Sequence, residues 1–487
     1  MLFGPQRGSF FTVFDRFAET FGLPIAVVAI ALIFGNMQAL LENSFILAVT
    51  LIAPARRLFS YFFTYYSVDE EKFHVRSGLL NKKNLEIPLD SITSVDFTQN
   101  IIFQWADVYG VRVDNASSYG GNGTGKVSLA LKRQEAERLK AILLSKSRGG
   151  KRSEEKRGEA VRVPVANIIA MGALQTKGSG LAQIISVITV VYGIVSIAFE
   201  RGLGIEDELT GLIADMPGIW TACAAAAAFF VISAVLGAFF AVIKYYGFTI
   251  RDGGSSVLIE YGLFTKKNHS LMKEKISGVE FVQSMSMRAV KKGYLNVMAV
   301  GYGDTENTEK AMMYPLIGEE EWEAFAASYI PAAAFSEKGD RPLKGSIRYF
   351  FICPRFIIYF TAAAGALICE KIWKVTEAAP MELSWIWILA AAGALLAVLS
   401  VLTEYRNTFM ASDGENISLV TGGFTRTKTV IKTKMIESVS DSGSLLKRRK
   451  GTVSVKLGIM APMTDMSKVI RNMPHGAFEK VKKVIHY

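Results

Sequence analysis

A glycine-rich stretch that ends in a lysine is the first feature with a spacing that could bind phosphate. Gly120 to Lys126 nearly fits the pattern G-x-x-x-x-G-K-[ST], in which backbone amides and the lysine hold a nucleotide. That chemistry needs a hydroxyl after the lysine for magnesium and a following helix whose N-terminus faces the phosphate. Val127 occupies the hydroxyl position, and the Val-Ser-Leu-Ala-Leu run that it opens is typical of a strand. The sequence therefore predicts a hairpin loop here and no nucleotide site.

Basic residues recur at equivalent points and could bind anionic lipid head groups or an acidic partner. One set follows a glycine in each copy of a repeat: Lys82, Lys83, Lys266, Lys267, Arg426 and Lys428. A second set precedes a later strand in copies two and three only: Lys291 and Lys292, then Lys447, Arg448, Arg449 and Lys450. Beneath an anionic leaflet, each surface cation contributes on the order of 1 kcal/mol to binding. The alternative is a solvated rim that only aids solubility. Nucleic-acid binding is not expected, because aromatic residues are not interleaved with these clusters.

The remaining titratable residues give no pattern for catalysis or metal binding. None of the four histidines (His74, His269, His475 and His486) has a partner at ligand spacing. The three cysteines, an odd number without a CxxC pair, argue against a disulfide framework. We therefore expect no catalytic, cofactor-binding or metal-binding residues, and a protein that is not an enzyme.

The elements that must position the basic residues include long apolar segments. Half of the 487 residues are hydrophobic and 20% are charged, with a net charge of +11, and the charges are concentrated in three blocks. A bilayer core takes about 20 mostly apolar residues as a helix. Six segments approach that length: 21–41, 44–58, 181–199, 219–243, 348–369 and 384–402. They predict six transmembrane helices in three hairpins.

Lysines and arginines near the ends of these segments predict the orientation of the chain. They all lie on the side of the three charged blocks: Arg56, Arg57, Lys177, Lys244, Lys344, Arg348, Arg355 and Arg406. The short connections within each hairpin are acidic or nearly neutral. We therefore expect a multi-pass cell-membrane protein with both termini and all three blocks in the cytoplasm.

The three blocks repeat one set of landmark residues. In each copy a tyrosine precedes a glycine, and an isoleucine and a valine follow it, at fixed spacings: Tyr61, Gly78, Ile92 and Val95; Tyr245, Gly262, Ile276 and Val279; Tyr405, Gly422, Ile436 and Val439. Several offsets that hold three times indicate an internal repeat, and the repeat decides the architecture.

Each copy has the pattern of a small β-domain closed by a helix. Short runs around Asp-Gly turns and alternating apolar residues predict strands, and apolar residues at helical spacing predict a C-terminal helix. The predicted fold is an α+β membrane protein. Its predicted organisation is 1–60 N-terminus and first hairpin, 61–147 domain, 148–180 basic linker and interfacial segment, 181–244 second hairpin, 245–335 domain, 336–404 linker and third hairpin, and 405–487 domain.

These motifs are similar to those of a known family. The run from Val75 to Leu80, followed by Ile87-Pro-Leu-Asp-Ser-Ile-Thr-Ser-Val95, resembles the bacterial pleckstrin-homology-like (PH-like) membrane domain of the second type. Three tandem copies look like the YdbT-type membrane proteins, although the second copy lacks the proline and the third departs further. The resemblance implies a seven-strand, helix-capped sandwich or barrel beneath the membrane. It also implies membrane lipids and a smaller single-copy relative as partners, a homo- or hetero-oligomer, and a role in envelope protection.

Two functions of different classes follow from these features. The first is a non-enzymatic integral membrane scaffold whose PH-like domains mediate protein–protein or membrane-surface lipid contacts. The second is a transporter or channel subunit that moves a lipid or peptide through a six-helix bundle. The apolar segments contain almost no internal ionisable residues for a proton or ion path, which favours the scaffold.

Overall fold

The structure, a computed structural model, describes residues 3–14, 28, 51–69, 71–78, 82–89, 92–115, 126–146, 159–175, 218–300, 310–330, 334–352, 361, 364–365, 368, 384–460 and 467–485. The chain forms two compact units. The first comprises Met1–Arg162, Ile243–Ile276 and Ala299–Glu309, and the second comprises Val163–Val242, Ser277–Met298 and Lys310–Tyr487. The second copy of the repeat is therefore divided between the two units.

The described residues form twenty strands. They are β1 Phe3–Gln6, β2 Tyr65–Val68, β3 Lys72–Ser77, β4 Lys83–Pro88, β5 Ile92–Gln99, β6 Val108–Asn115, β7 Lys126–Lys132, β8 Val161–Arg162, β9 Thr249–Asp252, β10 Ser256–Tyr261, β11 Lys266–Met272, β12 Ile276–Gln283, β13 Lys292–Ala299, β14 Ala311–Gly318, β15 Phe409–Ser412, β16 Asn416–Thr421, β17 Arg426–Lys432, β18 Ile436–Ser442, β19 Thr452–Ile459 and β20 Ser467–Pro474. Each copy supplies six of them: β2–β7, β9–β14 and β15–β20.

The helices of the described residues fall before, within and after these strands. They are α1 Ile52–Phe62, α2 Ile101–Trp105, α3 Arg133–Lys146, α4 Val165–Leu174, α5 Gly218–Tyr245, α6 Met285–Ala289, α7 Trp322–Tyr329, α8 Ile347–Phe350, α9 Ser384–Asn407, α10 Leu445–Arg449 and α11 His475–Val484. The expected C-terminal helix of each copy corresponds to α3, α7 or α11.

The first unit contains two antiparallel sheets. One has the strand order β1-β2-β3-β4, and the other has the order β7-β6-β5-β11-β10-β9-β8. The second sheet joins the last three strands of copy one to the first three strands of copy two, through the pairing of β5 with β11. Both sheets contribute to the core of copy one, where Phe73, Ile87, Val95 and Leu129 are buried against Leu139 of α3.

The second unit repeats this arrangement with the next pair of copies. One sheet has the order β14-β13-β12-β17-β16-β15, so β12 of copy two pairs with β17 of copy three. The last three strands of copy three form a separate sheet in the order β18-β19-β20. Helix α11 covers this sheet, because Phe478 and Val481 lie in one core with Val453 and Leu457.

The landmark residues explain why the three copies fold alike. Gly78, Gly262 and Gly422 have φ angles of +98°, +116° and +98°, a region of backbone conformation that side chains strongly disfavour. Each glycine turns the chain between the second and third strands of its copy. The landmark tyrosines lie at or near the ends of α1, α5 and α9, directly before the first strand. The internal repeat predicted from the sequence is confirmed.

The predicted seven-strand sandwich or barrel needs correction. Each copy has six strands in the described part of the chain, and its first three and last three strands belong to different sheets. The reason is that the sheets continue into the neighbouring copy, because the edge strand of one copy hydrogen-bonds to the edge strand of the next. The exact domain boundaries given above remain predictions.

The prediction of six transmembrane helices is also wrong for the part of the chain that the structure describes. Among these residues no helix is both long and apolar enough to cross a membrane. Segment 21–41, apart from residue 28, and segment 181–199 lie outside the described residues, and 44–58 and 348–369 are described only in part.

Helices α5 and α9 contain the segments 219–243 and 384–402, which were predicted to cross the membrane because they are apolar. Some of their apolar residues pack within the protein. Gly237 of α5 lies so close to Gly172 of α4 that a side chain at either position would collide with the other backbone. Val401 of α9 packs against Phe350. Other apolar residues of the same helices are exposed, among them Val231 of α5 and Leu395 of α9, so an apolar run alone shows neither a membrane span nor a buried helix.

Candidate interaction sites at the bends and strand junctions

The first basic set lies at the start of the third strand of each copy. Its members differ in exposure: Lys82 and Lys266 are exposed, whereas Lys267, Arg426 and Lys428 are half-buried. The side chain of Lys83 lies outside the described residues. The set is therefore not one uniform solvated rim. Whether its members bind lipid, a partner or only solvent remains a prediction.

Arg426 and Lys428 contact acidic and amide groups of copy two at the junction of β12 with β17. The Arg426 guanidinium forms an ion pair with Glu319, and its Nε donates a hydrogen bond to Gln283 Oε1 at 3.1 Å. Lys428 Nζ lies 3.1 Å from Glu319 Oε1. Burial alone would raise the pKa of Glu319. Hydrogen bonds from Lys428 and Gln283 and the two positive charges outweigh burial, so this pKa lies below its ordinary value.

We expect Glu319→Gln to make the second unit less sensitive to acid. The pKa of Glu319 is lower in the folded protein than in the unfolded chain. Its ionised carboxylate therefore stabilises the fold fully at pH values above the pKa that this residue has in the unfolded chain. That contribution is lost as the pH falls through the folded-state pKa. Urea unfolding of the full chain at several pH values should show the variant less stable near neutrality and equal to wild type in acid. Glu320→Gln, at the exposed neighbouring residue, is the control, and parallel curves for Glu319→Gln and wild type would contradict the expectation.

A buried carboxylate on the same junction is held by lysines from two copies. Glu280 of β12 has 1% of its side chain exposed. Lys310, directly before β14, and Lys468 of β20 each place Nζ 2.5 Å from one of its two oxygens. Because Lys310 belongs to copy two and Lys468 to copy three, this cluster connects the two copies by charge.

The junction of β5 with β11 carries a buried carboxylate at the equivalent position. Asp96 and Glu280 both lie 18 residues after the bend glycine of their copy, Gly78 and Gly262. His269 of β11 lies opposite Asp96, with Nδ1 3.0 Å from Oδ1, although the alignment is not that of a hydrogen bond. Its Nε2 is 3.2 Å from the Tyr261 hydroxyl.

Sequence reasoning missed both junction clusters. The carboxylate beside His269 could not be found near it in the sequence, because Asp96 is supplied by the preceding copy. The shared offset of Asp96 and Glu280 was the available signal, since the same strand position carries a carboxylate in two copies. Buried carboxylates are normally paired, so this offset pointed to partners elsewhere in the fold.

In copy three, the second basic set lies on and after the short helix α10. Leu445 and Leu446 at its start are 82% and 68% exposed. Arg448, Arg449 and Lys450 are exposed as well, and Arg448 forms an ion pair with Asp441 at 3.1 Å. The helix therefore presents two leucines beside three exposed cations.

Lys447 differs from the rest of the second set because it points back toward the protein. Its Nζ lies 5.7 Å from the centre of the Tyr349 ring. Burial, and then the positive charge of Arg471, lower the pKa of Lys447. Lys447 therefore belongs to the support of α10 more than to its outer surface.

The other two copies carry a short helix at the equivalent place, between their fourth and fifth strands. In copy one α2 exposes Ile101 and Trp105, with 85% of Trp105 accessible. In copy two α6 exposes Met285. Large apolar side chains are thus exposed at the same place in all three copies. Copy two adds the exposed Lys291 and Lys292, and copy three adds the denser cluster of Arg448, Arg449 and Lys450.

Two further features from the sequence analysis concern the glycine-rich stretch before β7 and metal binding. Strand β7 begins at Lys126, as the sequence predicted, and the glycine-rich residues before it lie outside the described residues. Within the described part of the chain, no three histidine, cysteine or carboxylate side chains come together as a metal site would require.

Three copies of a six-strand, helix-capped unit, joined through their sheet edges, define a protein of tandem PH-like β-domains. The family model described as "Bacterial PH domain" matches residues 13–147, 182–333 and 359–486. The chain belongs to the bacterial PH domain family, which confirms the resemblance found in the sequence.

Comparison with curated proteins gives one relative. The chain is similar to "UPF0699 transmembrane protein YdbT" of Bacillus subtilis (strain 168), with 22% identity over 302 residues. The match covers 59% of this chain and 60% of that protein, less than two thirds of its length. No solved structure matches the chain.

Proposed function

We propose that the chain is a non-enzymatic, membrane-associated scaffold whose PH-like domains mediate protein–protein or membrane-surface lipid contacts. The observation that carries this proposal is the use of charged residues at the strand junctions. Arg426 and Lys428 of copy three form ion pairs with Glu319 of copy two. Side chains that could do chemistry are thus used to join β-domains, which favours an assembly function over catalysis.

Membrane association has two lines of support. The Bacillus subtilis relative carries the words "transmembrane protein" in its name. In addition, α5 and α9 expose apolar side chains: Val231, Ile232, Val235, Phe239 and Phe240 on α5, and Leu395, Leu396 and Leu399 on α9. Apolar surfaces of this kind are normally covered by lipid or by another protein. We place the three domains on the cytoplasmic side of a bacterial membrane, as the basic residues near the apolar segments indicate.

The partners of the scaffold follow from the same reasoning. Membrane lipids with anionic head groups suit the exposed cations, and a smaller relative with one copy of the domain suits an array built by domain–domain contact. Co-purification of the tagged chain from native membrane, with identification of the bound proteins, tests the second partner. The transporter alternative requires a six-helix path, and the described contacts give it no support.

The short helix α10 is the most specific candidate for lipid contact. Leucines that enter the interface and cations that face phosphate groups are the two components of membrane-surface binding. Leu445 and Leu446 supply the first, and Arg448, Arg449 and Lys450 supply the second.

We expect reversal of the three exposed cations, Arg448→Glu, Arg449→Glu and Lys450→Glu together, to weaken binding to anionic vesicles by about 100-fold or more. Each cation contributes on the order of 1 kcal/mol near an anionic surface. The measurement is flotation of the purified full chain with phosphatidylglycerol vesicles and with phosphatidylcholine vesicles, at two salt concentrations.

The control carries the same change of charge elsewhere on copy three. Lys434, Lys482 and Lys483 are all exposed and can be reversed together. An equal loss with this control would show that only net charge matters and would contradict a role for α10. Unchanged binding of the α10 variant would contradict it as well.

A further inference from the structure

Two sheets of the protein end in strands whose equivalents are paired elsewhere in the same chain. Among the described residues, β4 is the last strand of the sheet β1-β2-β3-β4, and β18 is the last strand of β18-β19-β20. By position in the repeat, β4 corresponds to β11 and β17, and β18 corresponds to β5 and β12. In both internal junctions, strands of these two types pair with each other: β5 with β11, and β12 with β17.

The two internal junctions use one register. At the first, Ser94 lies opposite Leu271 and Gln99 opposite Lys266. At the second, Gly278 lies opposite Ile431 and Gln283 opposite Arg426. Positions can be counted from the bend glycine of each copy. In both junctions, the residues 16 to 21 positions after the bend glycine of the preceding copy pair with those 9 to 4 positions after the bend glycine of the following copy. One mode of association is therefore built twice with the same geometry.

We propose that β18 of one chain pairs with β4 of a second copy of the chain, which continues this mode of association between molecules. The same offsets place Ser438 opposite Ile87, Asp441 opposite Asn84, and Gly443 opposite Lys82. This deepens the proposed scaffold function by naming a partner for its domains. Because the two edges differ, the contact is heterologous and builds open chains or closed rings of molecules.

The exposed residues of β18 support the proposal that a further strand pairs with its edge. Every residue of its equivalent β12 is buried. In β18, Ser438, Ser440 and Ser442 are exposed, and Val439 is only half-buried, whereas its equivalents Val95 and Val279 are fully buried. The same place in the repeat is therefore buried in copies one and two, where the next copy pairs with it, and is partly exposed in copy three.

The composition of the two edges also suits pairing. Pro88, which has no N–H to donate, lies one residue beyond the stretch of β4 that would pair, so it ends the ladder without interrupting it. Main-chain hydrogen bonds supply most of the affinity when a strand is added to a sheet edge.

The test is site-specific disulfide formation between two differently tagged full-length chains. Both have the native cysteines replaced by alanine: Cys223, Cys353 and Cys369. One chain carries Asn84→Cys and the other Asp441→Cys. Directly opposite residues on paired strands have Cβ atoms about 4.5–5.5 Å apart, close to the separation that a disulfide spans. After co-expression and oxidation in native membrane, we expect a disulfide-linked dimer of the two tags.

The matched control replaces Asp441→Cys with Ser440→Cys. Ser440 is the more exposed residue, but its side chain points to the other face of the strand, so random collisions would favour it and register would exclude it. We expect at least tenfold more dimer with Asp441→Cys. Equal yields, or no dimer although both cysteines react with maleimide, would overturn the proposal.

Two further outcomes separate other occupants of the edge. If the double variant Asn84→Cys/Asp441→Cys forms its disulfide at monomer mass, the edges close within one chain, and the proposal is overturned. A photo-reactive amino acid at Asn84 identifies the neighbour directly. Capture of a β18 peptide from a second chain supports the proposal, and capture of a different protein overturns it. None of these readouts depends on lipid binding, so they remain decisive if the vesicle experiment fails.

Discussion

Replacing Glu280 with alanine is expected to lower the free energy of unfolding of the second unit by about 3–5 kcal/mol. The carboxylate is 1% exposed and forms ion pairs with Lys310 and Lys468, whose Nζ atoms each lie 2.5 Å from one of its oxygens. Its removal takes from Lys310 and Lys468 the carboxylate that both bind, so two positive charges stay close together at the edge of the core. Breaking a buried ion pair by removing one partner costs more than breaking a surface ion pair, so the loss exceeds that of an ordinary surface ion pair. Urea unfolding of the full chain, followed by tryptophan fluorescence, measures the change.

Replacement of the whole cluster provides the control for this prediction. If the loss in Glu280→Ala comes from repulsion between the two lysines, then Glu280→Met with Lys310→Met and Lys468→Met should recover most of the stability, because apolar residues of similar volume often replace a buried ion pair without cost. If it comes from lost packing alone, the triple variant should be no better than the single one. Glu274→Ala, a carboxylate on the short turn before β12, serves as the reference for a change of charge outside the cluster. A loss for Glu280→Ala no larger than this reference would contradict the prediction.

The part of the fold that sequence predicts well is the part set by local backbone requirements. Gly78, Gly262 and Gly422 are needed because each bend has a positive φ angle, and such a need leaves a mark that can be read in three copies. The isoleucine and valine that follow lie on the fourth strand of each copy, where Ile92, Val95, Ile276 and Val279 are buried. Repeat, strands and closing helices could therefore be found without a structure.

The contacts between copies could not be found in this way, because strand pairing leaves no local mark on either partner. The sequence around His269 does not indicate that Asp96 of the preceding copy lies beside it. The sequence around Lys468 likewise does not indicate its contact with Glu280. For the same reason Arg426 and Lys428 resembled surface cations in the sequence, whereas Glu319 holds them at a junction. The prediction of transmembrane helices failed for a different reason, because composition alone does not reveal whether lipid or protein surrounds a side chain.

The two glycines that flank strand β16 separate backbone strain from steric collision. Gly414 and Gly422 have nearly equal φ angles of +96° and +98°. A Cβ atom at Gly414 would meet nothing within 4 Å, whereas one at Gly422 would collide with the carbonyl oxygen of Thr425. Asn407 Nδ2 donates hydrogen bonds to the carbonyl oxygens of Gly422 at 2.8 Å and Gly423 at 3.0 Å, so the bend is fixed to the end of α9.

We therefore expect Gly422→Ala to cost about 2–6 kcal/mol of unfolding free energy, the sum of about 1–3 for the disfavoured backbone conformation and about 1–3 for the collision. Gly414→Ala should cost only the first part, about 1–3 kcal/mol. The bend at Gly422 cannot open to relieve the collision without breaking the hydrogen bonds from Asn407 or shifting β17 against β12. Urea unfolding of both variants gives the difference, and equal losses would show that the approach of Thr425 carries no cost. A larger loss at Gly422 would explain why the bends of copies two and three carry glycine, because the φ angle and the nearby carbonyl oxygen both exclude a side chain at Gly262 and Gly422.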